Sequence, residues 1–367
     1  MTGLGPTVGP TVGVEEEFLL VDPHSGVNVP AAEKVFAGLG DRAHREFRQS
    51  MVEMVTGVCT GLGELGDQLL TNRRAAAAAA TATGARLVAI GATPVAEPVR
   101  APAGDPRFEQ IVRHYGPIGR DAAVCGCHVH VGVPSRALAV EVCTRLRGWL
   151  PVIQAIAANS PLYLGADSGH ASWRGAQLRR WPGLGPWPHL RSAGDFDRTV
   201  AALVASGVML DESMVLWYAR PSARFPTVEI RVADVCLSVA DTVLVTALVR
   251  ALVATAAAGD LPATVLPDVL VDAAHWNATR DGLGGTLLDV RSGVARPAWD
   301  LVGELTELIG PALRRHGDHE AAHEGLGRLG REGTGADRQR RWLSARGDVL
   351  AVLDDVAAAT VAPPAGR

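Results

Sequence analysis

Three apolar segments of this sequence each carry two polar residues spaced two positions apart. In chain order the pairs are Glu15 and Glu17, His128 and His130, and Glu229 and Arg231. A β-strand directs alternate side chains to opposite faces, so the two members of each pair share a face. If the three strands lie in one sheet, one face of it collects carboxylates, imidazoles and a guanidinium. Such groups bind divalent metal ions and phosphates.

Each pair also has a structural interpretation. The glutamates could be solvated at a strand edge, the histidines could be core residues, and Glu229 with Arg231 could be a plain ion pair. The Val and Ile residues between the polar positions favour strands inside the molecule, where carboxylates must be paired or bind metal. Gly126 and Gly132 flank the histidines and leave room for a close approach to that strand.

The candidate ligands are rich in oxygen, because Glu53 in a further strand candidate adds a fourth carboxylate. This composition favours Mg²⁺, with Mn²⁺ as an alternative, and zinc with nitrogen or sulfur ligands is the competitor. The sequence contains neither a Walker A loop nor a Gly-x-Gly-x-x-Gly motif that opens a helix. Metals and arginines would therefore hold the phosphates of any nucleotide.

The composition of the 367-residue chain is that of a globular protein, with 47% hydrophobic and 20% charged residues. The net charge of -4 gives no indication of nucleic acid or an anionic membrane as a partner. Lys34 is the single lysine, so phosphate or carboxylate binding would depend on arginine. Five cysteines, an odd and sparse number, favour a reducing compartment, and no secretory signal is visible. We predict a cytoplasmic protein.

The patterns predict an α+β chain. Strands are expected at 11–21, 49–56, 86–90, 124–133, 214–218 and 227–235. Helices are expected at 62–83, 107–115, 135–159 with a break at Pro151, and 195–206. From 240 to about 359 the pattern is helical, with loops at 259–263, 281–296 and 330–336. The apolar stretch 242–258 contains Arg250, which favours a buried helix over a membrane span. Residues 160–192 show no period and are predicted to be an irregular, functional lid. We expect one catalytic domain over 1–367, with a helical C-terminal layer at about 238–362.

Several segments together carry a family resemblance. They are Gly13–Pro23, Cys125–Gly132, Asn159–Pro161, Gly165–Arg174, Trp217–Ser222, Thr227–Asp234, Trp276–Gly282 and Gly335–Arg340. In this order they resemble the type 2 glutamate–cysteine ligase family of carboxylate–amine ligases. The resemblance implies a glutamine-synthetase-like antiparallel catalytic sheet with helices packed on its outer face. It also implies that ATP activates a carboxylate as an acyl phosphate, which an amine attacks to give a γ-glutamyl-type amide.

The resemblance also implies roles for particular residues. The metal positions are Glu15, Glu17, Glu53, His128 and Glu229. Arg231 and Glu53 are assigned to catalysis, and Arg231 and His130 to the nucleotide. Arg174, Arg220, Tyr218 and His170 are assigned to the substrates, a small-molecule carboxylate and an amine.

Two positions depart from the family pattern. Gly91-Ala-Thr-Pro94 lacks the usual histidine, and His170 replaces a usual tyrosine. A nonstandard substrate pair is therefore expected. Two other functions remain open: a metal-dependent amide or guanidine hydrolase that uses no ATP, and a catalytically silent metabolite-binding protein. A homo-oligomer also remains open.

Overall fold

The computed structural model describes residues 9–262 and 264–364. Its strands are β1 Val12–Val21, β2 Ala43–Arg45, β3 Met51–Val55, β4 Arg86–Val88, β5 Gly126–Gly132, β6 Leu162–Tyr163, β7 Ala166–Asp167, β8 Leu184–Gly185, β9 Leu216–Trp217, β10 Ala219–Pro221, β11 Thr227–Asp234, β12 Thr286–Asp289 and β13 Val294–Pro297. Its helices are α1 Ala32–Phe36, α2 Leu62–Ala82, α3 Pro106–Tyr115, α4 Arg136–Leu146, α5 Leu150–Ile156, α6 Trp173–Leu178, α7 Ala193–Ala205, α8 Val239–Ala257, α9 Asp268–Asp281, α10 Ala298–His316, α11 His319–Glu332, α12 Gly335–Arg346 and α13 Val349–Val361. Short 3-10 helices span Gly40–Arg42, Ile118–Arg120 and Glu212–Met214.

A seven-stranded antiparallel sheet brings the polar pairs together. Its order is β10-β11-β5-β1-β3-β2, and β4 also pairs with β1. The three strands predicted to carry the pairs, β1, β5 and β11, are direct neighbours. Helices α2, α4, α5, α8 and α13 pack against the sheet strands. This architecture confirms the predicted α+β fold with an antiparallel catalytic sheet.

The face of β1 opposite the polar pairs is a core face. Glu16 lies between Glu15 and Glu17, and its carboxylate binds Arg73 of α2 at 2.6 and 2.9 Å. Both side chains are almost completely buried. Arg73 also donates to the carbonyls of Cys236 and Leu237. The period of two thus divides three consecutive glutamates into one structural and two cavity-facing residues.

Helix α8 forms the centre of the helical part of the chain. A capping box of Ser238 and Asp241 begins it. It is long and apolar enough to cross a membrane, but 83% of its apolar window is buried within the protein. Arg250 in its middle binds Asp318, with 2.7 Å between Nε and Oδ2, and donates to the carbonyl of Thr60. The predicted buried helix is confirmed, and the charge that argued against a membrane span is satisfied by a buried partner.

Three local predictions were wrong in whole or in part. Residues 160–192 are irregular only in part, because they also contain the short elements β6, β7, α6 and β8. The predicted loop at 281–296 contains the hairpin β12–β13. The strand predicted at 214–218 is reduced to the two residues of β9, because the 3-10 helix runs to Met214. The elements in 160–192 are two to six residues long, too short to show a hydrophobic period. The helix expected from 135 to 159 is split into α4 and α5, and Pro151 lies in the first turn of α5.

Candidate active site

The cavity-facing side of the sheet gathers the predicted ligands, because the strand register places them side by side. Glu15 is opposite His128, Glu17 is opposite Glu53, and Glu229 is opposite His130. His128 Nδ1 lies 3.3 Å from Glu15 Oε2, and His128 Nε2 lies 3.8 Å from Glu17 Oε1. His130 Nε2 lies 3.3 Å from Glu15 Oε1. We call this charged surface the floor of the site.

Two groups of potential metal ligands overlap at His128. One consists of Glu15, His128 and Glu229, and the other of Glu17, Glu53 and His128. Within each group the ligand atoms all lie within 4.8 Å of one another. The five residues assigned to metal from the family resemblance are therefore together on the floor. Four carboxylates and one imidazole form a donor set that suits Mg²⁺ or Mn²⁺.

The floor carboxylates are held in unlike protonation environments. Burial and the charge of Glu46 raise the pKa of Glu17 to about 8, and burial also raises the pKa of Glu53. Burial and the charge of Arg231 lower the pKa of His128 to about 4, so the ring is neutral and one of its nitrogens is free to bind metal. Burial opposes ionisation of Glu15, but hydrogen bonds with His128 and His130 outweigh it and lower its pKa.

Two arginines flank Glu229 at the edge of the floor. Arg220 of β10 makes a two-bond contact with its carboxylate, at 2.8 and 3.1 Å. Arg231 also donates to Glu229, and its Nη1 lies 3.4 Å from His128 Nδ1. Burial opposes ionisation of Glu229, but the charges of Arg231 and Arg220 outweigh it and lower its pKa. Glu229 is therefore ionised. It belongs to one of the two groups of potential metal ligands, and its carboxylate is also paired with the guanidinium groups of Arg220 and Arg231.

Arg174 is buried beneath the start of β5 and the end of β11. Its guanidinium donates to the carbonyls of Arg231 and Val232 and lies 3.9 Å from Asp234. A Cβ atom at Gly126 would lie 2.5 Å from Arg174 Nη2, so only glycine leaves space for this side chain. Arg174 lines the cavity as predicted for a substrate contact, and Gly126 is the reason it fits.

One cavity of about 870 Å³ covers the floor. Besides the metal ligands, it is lined by His130, Arg174, Tyr218, Arg220 and Arg231. Of the predicted site residues, His170 is the exception. Its ring packs against Trp173 with 5.3 Å between centroids, and its Nδ1 lies 3.2 Å from the carbonyl of Ser168. The structure does not bring His170 to the cavity.

His44 and Glu46 are among the cavity residues that sequence reasoning missed. His44 of β2 is paired with Glu53, and its Nδ1 lies 3.4 Å from Glu53 Oε2. Glu46 follows β2, and burial together with the charge of Glu53 raises its pKa to about 7. The two residues show the same spacing of two as the predicted pairs. Strand β2 has three residues and no Val or Ile, so the sequence pattern did not identify it as a strand.

Known proteins have sequences similar to this chain over nearly its whole length. The sequence profile of glutamate–cysteine ligase family 2 matches residues 11–355. A putative glutamate–cysteine ligase 2 of Salinispora tropica is 58% identical over 97% of this chain and 96% of its own length. A putative glutamate–cysteine ligase 2-2 of a Mycobacterium strain is 47% identical over 96% of this chain and 99% of its own length.

Solved structures share the fold at low sequence identity. A glutamate–cysteine ligase from Francisella tularensis in complex with AMP aligns with a TM-score of 0.68 at 13% identity, over 98% of this chain and 91% of that one. A bifunctional glutathione synthetase from Pasteurella multocida also aligns with a TM-score of 0.68, at 15% identity over 95% of this chain and 52% of that one. The ligase PafA, solved with the ubiquitin-like protein Pup, aligns with a TM-score of 0.56 at 14% identity, over 97% of this chain and 74% of that one. The chain belongs to glutamate–cysteine ligase family 2 and is an ATP-dependent carboxylate–amine ligase.

Proposed function

We propose that the enzyme forms a γ-glutamyl-type amide through an acyl phosphate, with cleavage of ATP to ADP. The observation that carries the proposal is the pair of overlapping ligand groups that share His128. Carboxylates grouped in this way suit several Mg²⁺ ions around a terminal phosphate, and this arrangement favours attack at the γ-phosphorus. The relatives named for glutamate and cysteine support glutamate as the acid.

The residues present fit such ions. Glu17 and Glu53 are cross-strand partners, and each is a buried carboxylate with a raised pKa. A divalent cation relieves the repulsion between like charges that burial makes costly. Mg²⁺ held by Glu15, Glu17, Glu53, His128 and Glu229 would neutralise the phosphates of ATP and orient them.

The protein's own groups supply the remaining functions. Arg231 presents a guanidinium beside His128 and Glu229, where it can stabilise the charge of the transferred phosphoryl group. Helices α3, α6 and α7 also line the cavity and would restrict the access of water to the floor. An acyl phosphate must be protected from water, because water would hydrolyse it. Arg174 and Arg220 stand at two sides of the same cavity, as groups that position the acid.

Phosphorus NMR during turnover tests the proposal. Purified enzyme receives ATP, Mg²⁺, glutamate and a panel of amines, and ADP with inorganic phosphate should appear only when both substrates are present. AMP with pyrophosphate would contradict the acyl-phosphate route. Amide cleavage that consumes no nucleotide would favour the hydrolase.

A second measurement tests the metal ligands without activity. Binding of Mn²⁺, followed by its electron paramagnetic resonance signal, should weaken strongly in Glu17→Gln and Glu229→Gln. Glu324 is exposed on α11, far along the chain from the floor strands, and Glu324→Gln provides the matched control. Equal Mn²⁺ affinity in all three variants would remove these residues from the metal site.

A further inference from the structure

The cavity has a charged floor and an apolar cover. Several large apolar side chains from outside the seven-stranded sheet line it, and we call six of them the roof: Phe108, Ile111, Leu178, Trp181, Phe196 and Met214. They come from α3, from α6 and the segment after it, from α7 and from the 3-10 helix at Glu212–Met214. The metal ions and phosphates of the proposed reaction bind the charged groups of the floor and do not require the apolar roof.

Two aromatic side chains of the roof, Phe108 and Trp181, form a connected surface with Phe47. Phe47, which follows β2, lies 5.4 Å from Phe108 and 6.2 Å from Trp181, measured between ring centroids. Tyr115 of α3 supports Trp181 from behind at 5.2 Å. Phe47, Phe108 and Trp181 are partly exposed, and each lines the cavity. A ligand that covers them would remove aromatic surface from water, which is favourable in proportion to the area covered.

The arginines that line the cavity are mostly engaged. Arg107 binds Asp211 at 2.7 Å, Arg136 binds Asp197, and Arg220 and Arg231 bind Glu229. Arg48 and Arg174 donate to backbone carbonyls. Among the cavity arginines in the described part of the chain, Arg224 alone has no carboxylate or carbonyl partner. It stands beside Phe225, which is 58% exposed.

A pair of amino acid substrates would bring two α-carboxylates into this cavity. Each of them, once desolvated, needs a cationic partner. Arg174, which we assign to the acid, can serve that of glutamate, because its Nε is buried without a partner. A second carboxylate, such as that of cysteine, could be served by Arg224 or by Arg48, whose Nη1 is also buried without a partner, so neither carboxylate needs the apolar roof.

We infer that the amine substrate carries an aromatic or branched apolar group, and that this group binds against the roof. The inference rests on the proposed ligase function. The amine nitrogen forms the new C–N bond while the acyl C–O bond to phosphate breaks. Phosphate leaves with the electron pair of that bond, and the amine loses one proton to solvent.

Calorimetric titration tests the inference with defined probes. Enzyme with Mg²⁺ and a non-hydrolysable ATP analogue is titrated with 2-phenylethylamine, ethanolamine or cysteine. The phenyl group should give roughly tenfold or tighter binding than ethanolamine. Trp181→Ser and Phe108→Ser should each remove most of that preference. Trp299→Ser is the matched control, because Trp299 lies on α10, is 41% exposed and does not line the cavity.

The same variants separate the inference from its alternatives. Thermal melting verifies that each is folded, and each should bind the ATP analogue as the wild type does. If Trp181→Ser and Phe108→Ser weaken the analogue and keep the amine preference, the roof holds the nucleotide base and the inference is wrong. Equal wild-type binding of 2-phenylethylamine and ethanolamine would also overturn it.

Turnover separates this inference from the proposed function. With glutamate as the acid, release of ADP should be more efficient with 2-phenylethylamine than with cysteine, as judged by kcat/KM. ADP release that favours cysteine would overturn the inference and leave the ligase function intact. Selective binding of 2-phenylethylamine without ADP release from any amine would overturn the proposed function and leave the apolar site intact.

Discussion

Adjacent glutamates on β1 should respond in opposite ways to the same substitution. Glu16→Gln removes the partner of Arg73, which is completely buried. Breaking one side of a buried ion pair costs about 3–5 kcal/mol. Arg73 keeps its bonds to backbone carbonyls, so the loss of unfolding free energy should lie near the lower value, about 3 kcal/mol.

Glu17→Gln should stabilise the metal-free protein. The Glu17 carboxyl keeps its proton in the folded state up to a pKa of about 8, whereas in the unfolded chain it ionises near 4.5. The unfolded state therefore holds fewer protons between these values, and stability falls by about 1.4 kcal/mol per pH unit as the pH rises. At pH 7 this penalty is about 3 kcal/mol, and the neutral amide removes it.

Urea unfolding at pH 5, 7 and 8.5 in the presence of EDTA measures both effects. Glu16→Gln should unfold at lower urea at every pH, whereas Glu17→Gln should exceed the wild type by an increasing margin as the pH rises. Added Mg²⁺ should then stabilise the wild type and leave Glu17→Gln nearly unchanged. Equal destabilisation by the two substitutions, with no dependence on pH, would refute the assignment of these residues to opposite faces.

Three further outcomes are expected. Arg231→Lys should keep the melting temperature and lose roughly 100-fold in kcat, because lysine lacks the planar fork; a large fall in melting temperature with unchanged kcat would indicate a structural ion pair. Burial and the charges of Arg179 and Arg147 lower the pKa of His275 to about 3. Its folded state therefore stays neutral, and stability should fall by about 2 kcal/mol from pH 6.5 to pH 5, a slope that His275→Gln should reduce. Leu164 adopts φ 51° before Gly165 in the turn between β6 and β7, a left-handed conformation that asparagine tolerates better than leucine. Leu164→Asn should therefore raise the unfolding free energy by about 1 kcal/mol. An unchanged unfolding free energy in urea denaturation would show that the backbone at Leu164 is not strained.

The floor could be predicted from sequence because a strand's period of two is local. Glu15 and Glu17 share a strand face, as do His128 and His130, and this follows from their spacing whichever strands lie beside them. The structure adds the register, which pairs Glu15 with His128 and Glu17 with Glu53. The roof could not be predicted in the same way. Its members come from separate short elements, and an apolar side chain that lines a cavity looks the same in sequence as one that fills a core.

The other family-like segments show a second limit. Gln339 donates to the side chain of Asn159, and Arg340 binds Asp167 and the carbonyl of His170. The carbonyls of Thr279 and Arg280 accept from the amides of Ser172 and Ala171. Both segments lie more than 100 residues after residues 159–172 in the chain, and both contact them in the fold. Sequence alone marked them as part of the family pattern and could not show that they brace a single loop.

This brace bears on how the site could close. Asp234, at the end of β11, accepts hydrogen bonds from the hydroxyl groups of Ser160 and Ser172, at 2.7 and 2.8 Å. The backbone around Arg174 is thereby fixed to the sheet that carries the floor. A lid over 160–192 stays a prediction, but its first half is attached to the floor by buried bonds. The segment beyond α6 is anchored as well, because the amides of Leu216 and Tyr218 donate to the carbonyls of Gly183 and Gly185, so a closing movement there would have to move β8 together with its partner strand β9.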